Sequence, residues 1–232
     1  MIQRIGVTER ADPTINKKWM EWVWEGNPAI LITKMPRLLY TDLEGNENAI
    51  IHCTITGLGG TKIEPGIDTP EVSLQAYNNI CDLFGEEKVV LRIDPIIPEL
   101  QWDTIEFPSY LECIKNLSKK SRGRTRISFM DNYPHVRERF SKKGLTINQS
   151  FHSPIEIRRK IWKELGEPEV CGEPGLPVTP CVSKIDCEIL KVEPSNYKHG
   201  QRNVCACLGN KIELCMELPR CTYGCLYCYL RD

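Results

Sequence analysis

The sequence has no run of roughly 18 uncharged apolar residues, the length a membrane-spanning helix needs. Its opening residues, MIQRIGVTERADP, have neither the layout of a secretory signal nor the composition of a transit peptide. Both absences point to a cytoplasmic protein with no membrane partner. Charge of one sign is lacking too: 30 Lys and Arg stand against 31 Asp and Glu, a formal net charge of −1. No global field draws the chain to nucleic acid or lipid, and only local basic runs remain. Histidine is scarce, four in 232 residues, with none in zincin spacing. His52, inside an apolar run, reads as a satisfied core residue. Residues 57–60 spell GLGG, which does not complete the G-x-G-x-x-G of a dinucleotide fold.

Cysteine is what the chain has in excess, twelve residues in all. Cys53, Cys81 and Cys113 lie singly in apolar or amphipathic segments and read as buried small hydrophobes. The other nine fall between Cys171 and Cys228. In a reducing compartment such a cluster reads as metal ligands before disulfides.

Residues 1–150 alternate between short apolar runs and helical patterns. IQRIGV, PAILITK, AIIHCTITG, KVVLRIDPII and RTRISFM read as five strands. Helices are expected from DPTINKKWMEWVWEG, where Asp12 or Thr14 can cap, and from TPEVSLQAYNNICDLFG, where Thr69 precedes Pro70. DTIEFPSYLECIKNLSKK and HVRERFSKKG supply two more. Such alternation means an α/β fold with a parallel sheet, open or partly closed, and ligands at the carboxyl ends of its strands. The residues at those ends are Thr8, Glu9 and Arg10, Thr33 and Lys34, Thr54 and Thr56, Arg92 and Asp94, and Ser128 with Asp131. Together they read as the rim of one pocket, with Tyr133 beside it. Lys119, Lys120, Arg122, Arg124 and Arg126 form one basic run, and Arg158, Arg159 and Lys160 another. A solvated surface is the plain reading; a phosphate-binding face is the sharper one.

Residues 151–209 hold one helix, SPIEIRRKIWKELGE, and then a proline- and glycine-rich stretch with five cysteines. A segment so long without periodicity needs something other than a core to hold it, and a metal would serve. Residues 210–232 begin with the strand-like NKIELCMEL and end in RCTYGCLYCYLRD. Cys221, Cys225 and Cys228 make a C-x3-C-x2-C triplet: three thiolates on one tight loop. Zinc usually takes four ligands from two separated pairs, whereas an iron–sulfur cluster also accepts three and leaves one iron open. Zinc and fortuitous burial are the alternatives.

The pattern resembles the signature of radical S-adenosylmethionine (radical SAM) enzymes. The resemblance extends through VTERADP, LITKMP, TITGLGG and LRIDPII, and through GQRNVCAC, to an uncharacterised family of radical SAM type whose triplet also lies near the C-terminus. Spore photoproduct lyase, which repairs thymine dimers in DNA, is a more distant likeness. The resemblance implies that Cys221, Cys225 and Cys228 hold a 4Fe-4S cluster that binds S-adenosylmethionine, whose cleavage yields a 5′-deoxyadenosyl radical. It implies a circularly permuted partial (β/α)6 TIM-like barrel, with 210–218 as the first strand delivered last. Thr8 and Glu9 would take the place of a glycine–glycine–glutamate segment that receives the SAM amino group, although the glycines are missing. Lys34, Thr54 and Thr56 would line the ligand, Arg92 would pair with its carboxylate and Tyr227 would pack on adenine. GLGG would let SAM approach the backbone or is a plain turn. An auxiliary 4Fe-4S cluster would use Cys181, Cys187, Cys205 and Cys207, with Cys171 and Cys215 nearby; structural zinc or idle thiols are the alternatives. The substrate expected is a nucleic-acid base, with a peptide or small metabolite as the alternative, and the electron source a reductant such as ferredoxin or flavodoxin. A non-catalytic zinc module binding nucleic acid or protein is the rival from another class.

Overall fold

A computed structural model describes residues 3–43, 48–102, 105–200, 203–217 and 221–230. In chain order its elements are β1 (Ile5–Val7), α1 (Trp19–Trp24), β2 (Ala29–Thr33), α2 (Pro36–Tyr40), β3 (Ala49–Thr54), α3 (Pro70–Phe84) and β4 (Val89–Ile96). A short antiparallel pair follows, β5 (Gln101–Trp102) and β6 (Ile105–Glu106). The rest are α4 (Phe107–Lys119), β7 (Arg124–Phe129), α5 (Pro134–Lys142), α6 (Ile155–Glu164), β8 (Glu169–Val170), α7 (Lys184–Ile189) and β9 (Lys211–Glu213).

Seven strands form one sheet in the order β8-β7-β4-β3-β2-β1-β9. Every pairing in it is parallel, and the sheet curls into a half-barrel. A parallel sheet is covered on both faces, so its strands are apolar throughout rather than alternating; β3 is buried at all six positions. The last strand lies at the edge beside the first, with Ile5 opposite Lys211 and Val7 opposite Glu213.

Helices cover the outer face, where Leu31, Ile51 and Leu91 join Tyr77 and Ile80 of α3 and Ile114 of α4 in one large apolar cluster. The inner face carries a second cluster, in which Ile5, Val7, Ile30, Ile50 and Val90 meet Val182, Cys187, Leu190 and Val192. The cysteine-rich segment therefore fills the amino-terminal end of the half-barrel. It is more regular than its composition predicts. β8 adds a seventh strand to the six expected, and α7 starts from a reciprocal cap: Ser183 Oγ accepts from the Asp186 amide (3.2 Å) while the Asp186 carboxylate accepts from the Ser183 amide (2.8 Å). Arg124 holds the same carboxylate at 2.6 Å.

α1 starts at Trp19, later than Asp12 predicts. Asp12 is engaged elsewhere: its carboxylate accepts from Thr14, from the Thr33 hydroxyl (3.0 Å) and from the Lys34 amide (2.7 Å). It ties the loop after β1 to the end of β2 instead of capping a helix. Thr69 likewise accepts no capping bond, and Pro70 alone sets the first turn of α3. Leu218, the last residue of the expected strand 210–218, lies outside the described residues.

Candidate functional site

The loop of residues 221–230 lies over the carboxyl ends of the strands. The Gly66 amide donates to the Tyr223 carbonyl (2.9 Å) and the Leu226 amide to that of Ile63 (2.9 Å). Position 66 must be glycine for this approach, because a Cβ there would stand 2.7 Å from the Tyr223 Cα. Gly224 turns the loop at a φ of 71°. The Tyr223 hydroxyl bonds to Thr14, and Arg139 of α5 donates to the Cys228 carbonyl. Loops after β1 and β3 and helix α5 thus hold the cysteine loop from three sides.

Beneath it, Glu64 gathers the rim. Its buried carboxylate accepts from Thr56 (2.6 Å), from the Tyr227 hydroxyl and from Lys34 Nζ (3.3 Å). Lys34 stands 5.0 Å from the centre of the Tyr227 ring and donates to the Asp94 carbonyl (3.0 Å). Burial opposes its charge, but Glu64, Cys225 and Asp94 outweigh that and hold the ammonium above its usual range. Asp94 accepts from Arg92 and from the Ser128 hydroxyl. Burial pushes its carboxyl up, while Arg92, Ser128 and Lys34 together win and hold it below the ordinary range. Lys34, Thr56, Arg92, Ser128 and Tyr227 are thus brought together as the sequence predicts, and Thr54 is buried at the end of β3.

Thr8 and Glu9 serve the other edge. The Thr8 hydroxyl accepts from the Ile32 amide (2.9 Å), so it stitches β1 to β2. Glu9 pairs with Lys211, and its amide donates to Glu213 (3.1 Å), so it locks β9 in place.

Burial first, with Glu64, Cys221 and Cys228, pushes the Cys225 thiol up to about 12 against the pull of Lys34. Cys221 and Cys228 thus both bear on the buried Cys225 thiol. A second thiol group lies on the inner face. Cys171 and Cys181 Sγ atoms are 3.1 Å apart, and the Cys181 amide donates to Cys207 Sγ at 3.3 Å. Hydrogen bonds from Cys171 and Cys207 hold the Cys181 thiol well below its usual range, against burial and with help from Arg92 and Arg126. Cys187 stands apart: its thiol is pushed up to about 11 by burial and by Asp186, Glu188 and Glu193, with no cysteine among the causes. Cys205 is half-buried, and Cys215 donates to the Asn16 carbonyl at 3.6 Å. Among the described residues, no three histidine, cysteine, aspartate or glutamate side chains are arranged to hold a metal ion.

Several members of the basic runs are engaged with carboxylates of the fold. Arg126 is fully buried on Glu169 (2.6 Å), Arg158 is buried on Glu173 (3.0 Å) and Arg122 pairs with Asp82 and Glu86. Beside the cysteine loop, however, the Tyr133 ring stacks on Tyr229 (5.9 Å) and His135 (5.7 Å) and meets Phe151 edge-on (5.0 Å). Phe151 and Tyr229 are exposed. Glu64 was not read as a site residue, although it is the only acid in GLGGTKIEPG.

Fold and rim define an α/β half-barrel protein with a thiol-bearing loop over its strand ends. The chain belongs to the family described as Domain of unknown function (DUF1848), whose model matches residues 21–230. No curated protein and no solved structure gives a match. Among the described residues, no helix is long and apolar enough to cross a membrane.

Proposed function

We propose that the chain is a radical SAM enzyme on a circularly permuted half-barrel, acting on a nucleic-acid base. The observation that carries this reading is the seat of CTYGCLYC, a three-thiol loop over the end of a parallel sheet where ligands bind. The edge position of β9 supports the permutation, since it sets the strand preceding that loop beside β1.

By chemistry the donors suit the group, although the three side chains are not yet gathered about one point: Cys221, Cys225 and Cys228 put three thiols on one tight loop, and a bound cation would displace the proton that burial keeps on Cys225. Held there, a 4Fe-4S cluster would supply the electron that cleaves SAM to the hydrogen-abstracting 5′-deoxyadenosyl radical. The chain's own residues bind and orient. Tyr227, fixed by Glu64 and Lys34, offers a ring for adenine. Arg92 keeps Nε and Nη1 without a hydrogen-bond partner and buried, ready for a carboxylate. Tyr223, Cys225 and Tyr227 are nearly inaccessible and keep water from the loop's inner side. At the mouth, the exposed Phe151 and Tyr229 rings suit a substrate with a stacking face, and the exposed Lys143, just after α5, suits its phosphate.

The test is anaerobic purification with metal analysis, then dithionite reduction with SAM. Iron with absorbance near roughly 400 nm, and 5′-deoxyadenosine formed by wild type but not by Cys225→Ala, is the expected result. Zinc alone, or a loaded cluster without 5′-deoxyadenosine, rejects the reading. For the substrate class, Tyr229→Ala should weaken single-stranded DNA or RNA binding about tenfold; unchanged affinity would turn the assignment toward peptides or metabolites.

A further inference from the structure

We infer that Cys171 and Cys181 form a reversible dithiol–disulfide couple, a redox-sensitive clasp at the base of the loop 172–180 that a low-molecular-weight disulfide such as oxidised glutathione closes. The couple needs nothing of the enzyme reading above.

The two Sγ atoms stand 3.1 Å apart. Closing that gap to a covalent bond asks for about 1 Å of side-chain movement. The fold sets the spacing. The Cys171 amide, just past β8, donates to the Ile127 carbonyl (2.9 Å), and the Cys181 amide, ahead of α7, donates to Cys207 Sγ (3.3 Å). Between them Val170 bridges Val178, and the Thr179 amide donates to the Val170 carbonyl (2.7 Å). The nine residues 172–180 therefore leave and return at one place, with the two thiols in contact across the base. From within the loop the Glu173 carboxylate accepts from the Phe129 amide (2.8 Å) at the end of β7 and from Arg158 (3.0 Å). A bond across the base thus bears on the carboxyl end of that strand.

Among the described residues, no third donor joins the pair to hold a metal ion. Cys207 meets Cys181 through the backbone amide, and Cys187 lies in the apolar cluster with Val182 and Leu190. The side chains that the resemblance assigns to an auxiliary cluster are not gathered for one, whereas two thiols in contact need only an oxidant. The Arg92 and Arg126 guanidiniums bear on both sulfurs. Cys171 is half-buried and Cys181 is buried. Reactive cysteines occupy such electropositive, partly open settings.

Access fixes the order of events. The Cys171 sulfur gives up its proton and attacks one sulfur of oxidised glutathione; a mixed disulfide forms, and the glutathione thiolate that leaves takes up a proton. Cys181 then attacks the Cys171 sulfur in the same way, the protein disulfide forms, and the second glutathione leaves as its thiol. Two protein thiols lose two electrons, and the oxidant disulfide gains them. Excess reduced glutathione runs the steps backward. In a reducing compartment, pairs of this kind are transient and redox-sensing or catalytic.

The test uses the full chain, purified anaerobically and equilibrated in glutathione buffers from reduced to oxidised, with disulfides mapped by peptide mass spectrometry. A Cys171–Cys181 bond is expected in oxidised buffer and its loss in excess reduced glutathione. Cys181→Ser should strand glutathione on Cys171, whereas in Cys171→Ser the buried Cys181 should react about tenfold more slowly than Cys171 does. Cys187→Ser and Cys205→Ser should keep the bond. Closure should slow hydrogen exchange of the Thr179 amide about tenfold by NMR, a change absent from Cys181→Ser. No bond between Cys171 and Cys181, a Cys181–Cys207 bond in its place, a bond that survives excess reduced glutathione, or metal that shields these thiols from the oxidant would overturn the couple. Unchanged exchange at Thr179 would overturn the clasp. Circular dichroism of each variant separates lost chemistry from lost fold.

Discussion

Along β4, the residues Val89, Leu91 and Ile93 face outward into an apolar cluster with α3 and α4, while Val90, Arg92 and Asp94 face the other way. The outward set is uniform. The inward set passes from aliphatic to charged within a few residues; on β3 the same face runs from Ile50 through His52 to Thr54, and on β7 it is polar throughout, with Arg124, Arg126 and Ser128. Burying charge contributes little net stability, since desolvation offsets most of the attraction. The outer face is therefore what holds the sheet together. On β3 and β4 the inner face turns polar toward the carboxyl ends, and the cysteine loop closes over that end.

Substitutions on the two faces break or sharpen this contrast. Cys225→Ala, at the mouth, is expected to abolish 5′-deoxyadenosine formation, whereas Cys53→Ala on the outer face retains it and lowers the unfolding free energy by about 1 kcal/mol in urea titrations. Arg126→Met leaves Glu169 with Arg124 alone (3.5 Å) and should cost about 3 kcal/mol, while the double change Arg126→Met/Glu169→Leu should recover most of that loss. A double variant no more stable than the single would mean that the inner pair does stabilise the fold. Leu91→Ala, fully buried on the outer face, should cost about 3 kcal/mol at every pH.

The smallest effect depends on acidity. Asp94 is held below its unfolded value, so its contribution is present at neutral pH and is lost as pH falls below about 4. Asp94→Asn should be less stable than wild type by about 1 kcal/mol at pH 7, and the gap should close between about pH 4 and pH 2. A gap that persists at pH 2 would assign the loss to packing rather than to charge.

Much of the fold was legible because parallel strands buried on both faces leave continuous apolar runs, as in AILIT and AIIHCT. β8 was not, since two residues with one glutamate carry no period. α1 was over-read because Asp12 looks like a cap in sequence but is bound to Thr33 and Lys34, some twenty residues away. In the site, residues at strand ends were found as a class. Glu64 was not, because its place beneath the cysteine loop depends on how the loop after β3 folds back. His52 was taken for a satisfied core residue, and only the absence of partners around its ring shows otherwise. The resemblance implies Cys187 as a ligand; its place beside Val182 and Leu190 follows from the reciprocal cap that starts α7.

The pairing of Ile5 with Lys211 has a consequence for biosynthesis. A ribosome releases the other six strands of the sheet before it delivers the one that flanks β1, so the nascent sheet emerges with that edge open. Contacts this distant in sequence form late and slowly. The cysteine loop would therefore reach a scaffold that is already assembled, and an edge exposed in the meantime needs a chaperone or speed to avoid wrong partners.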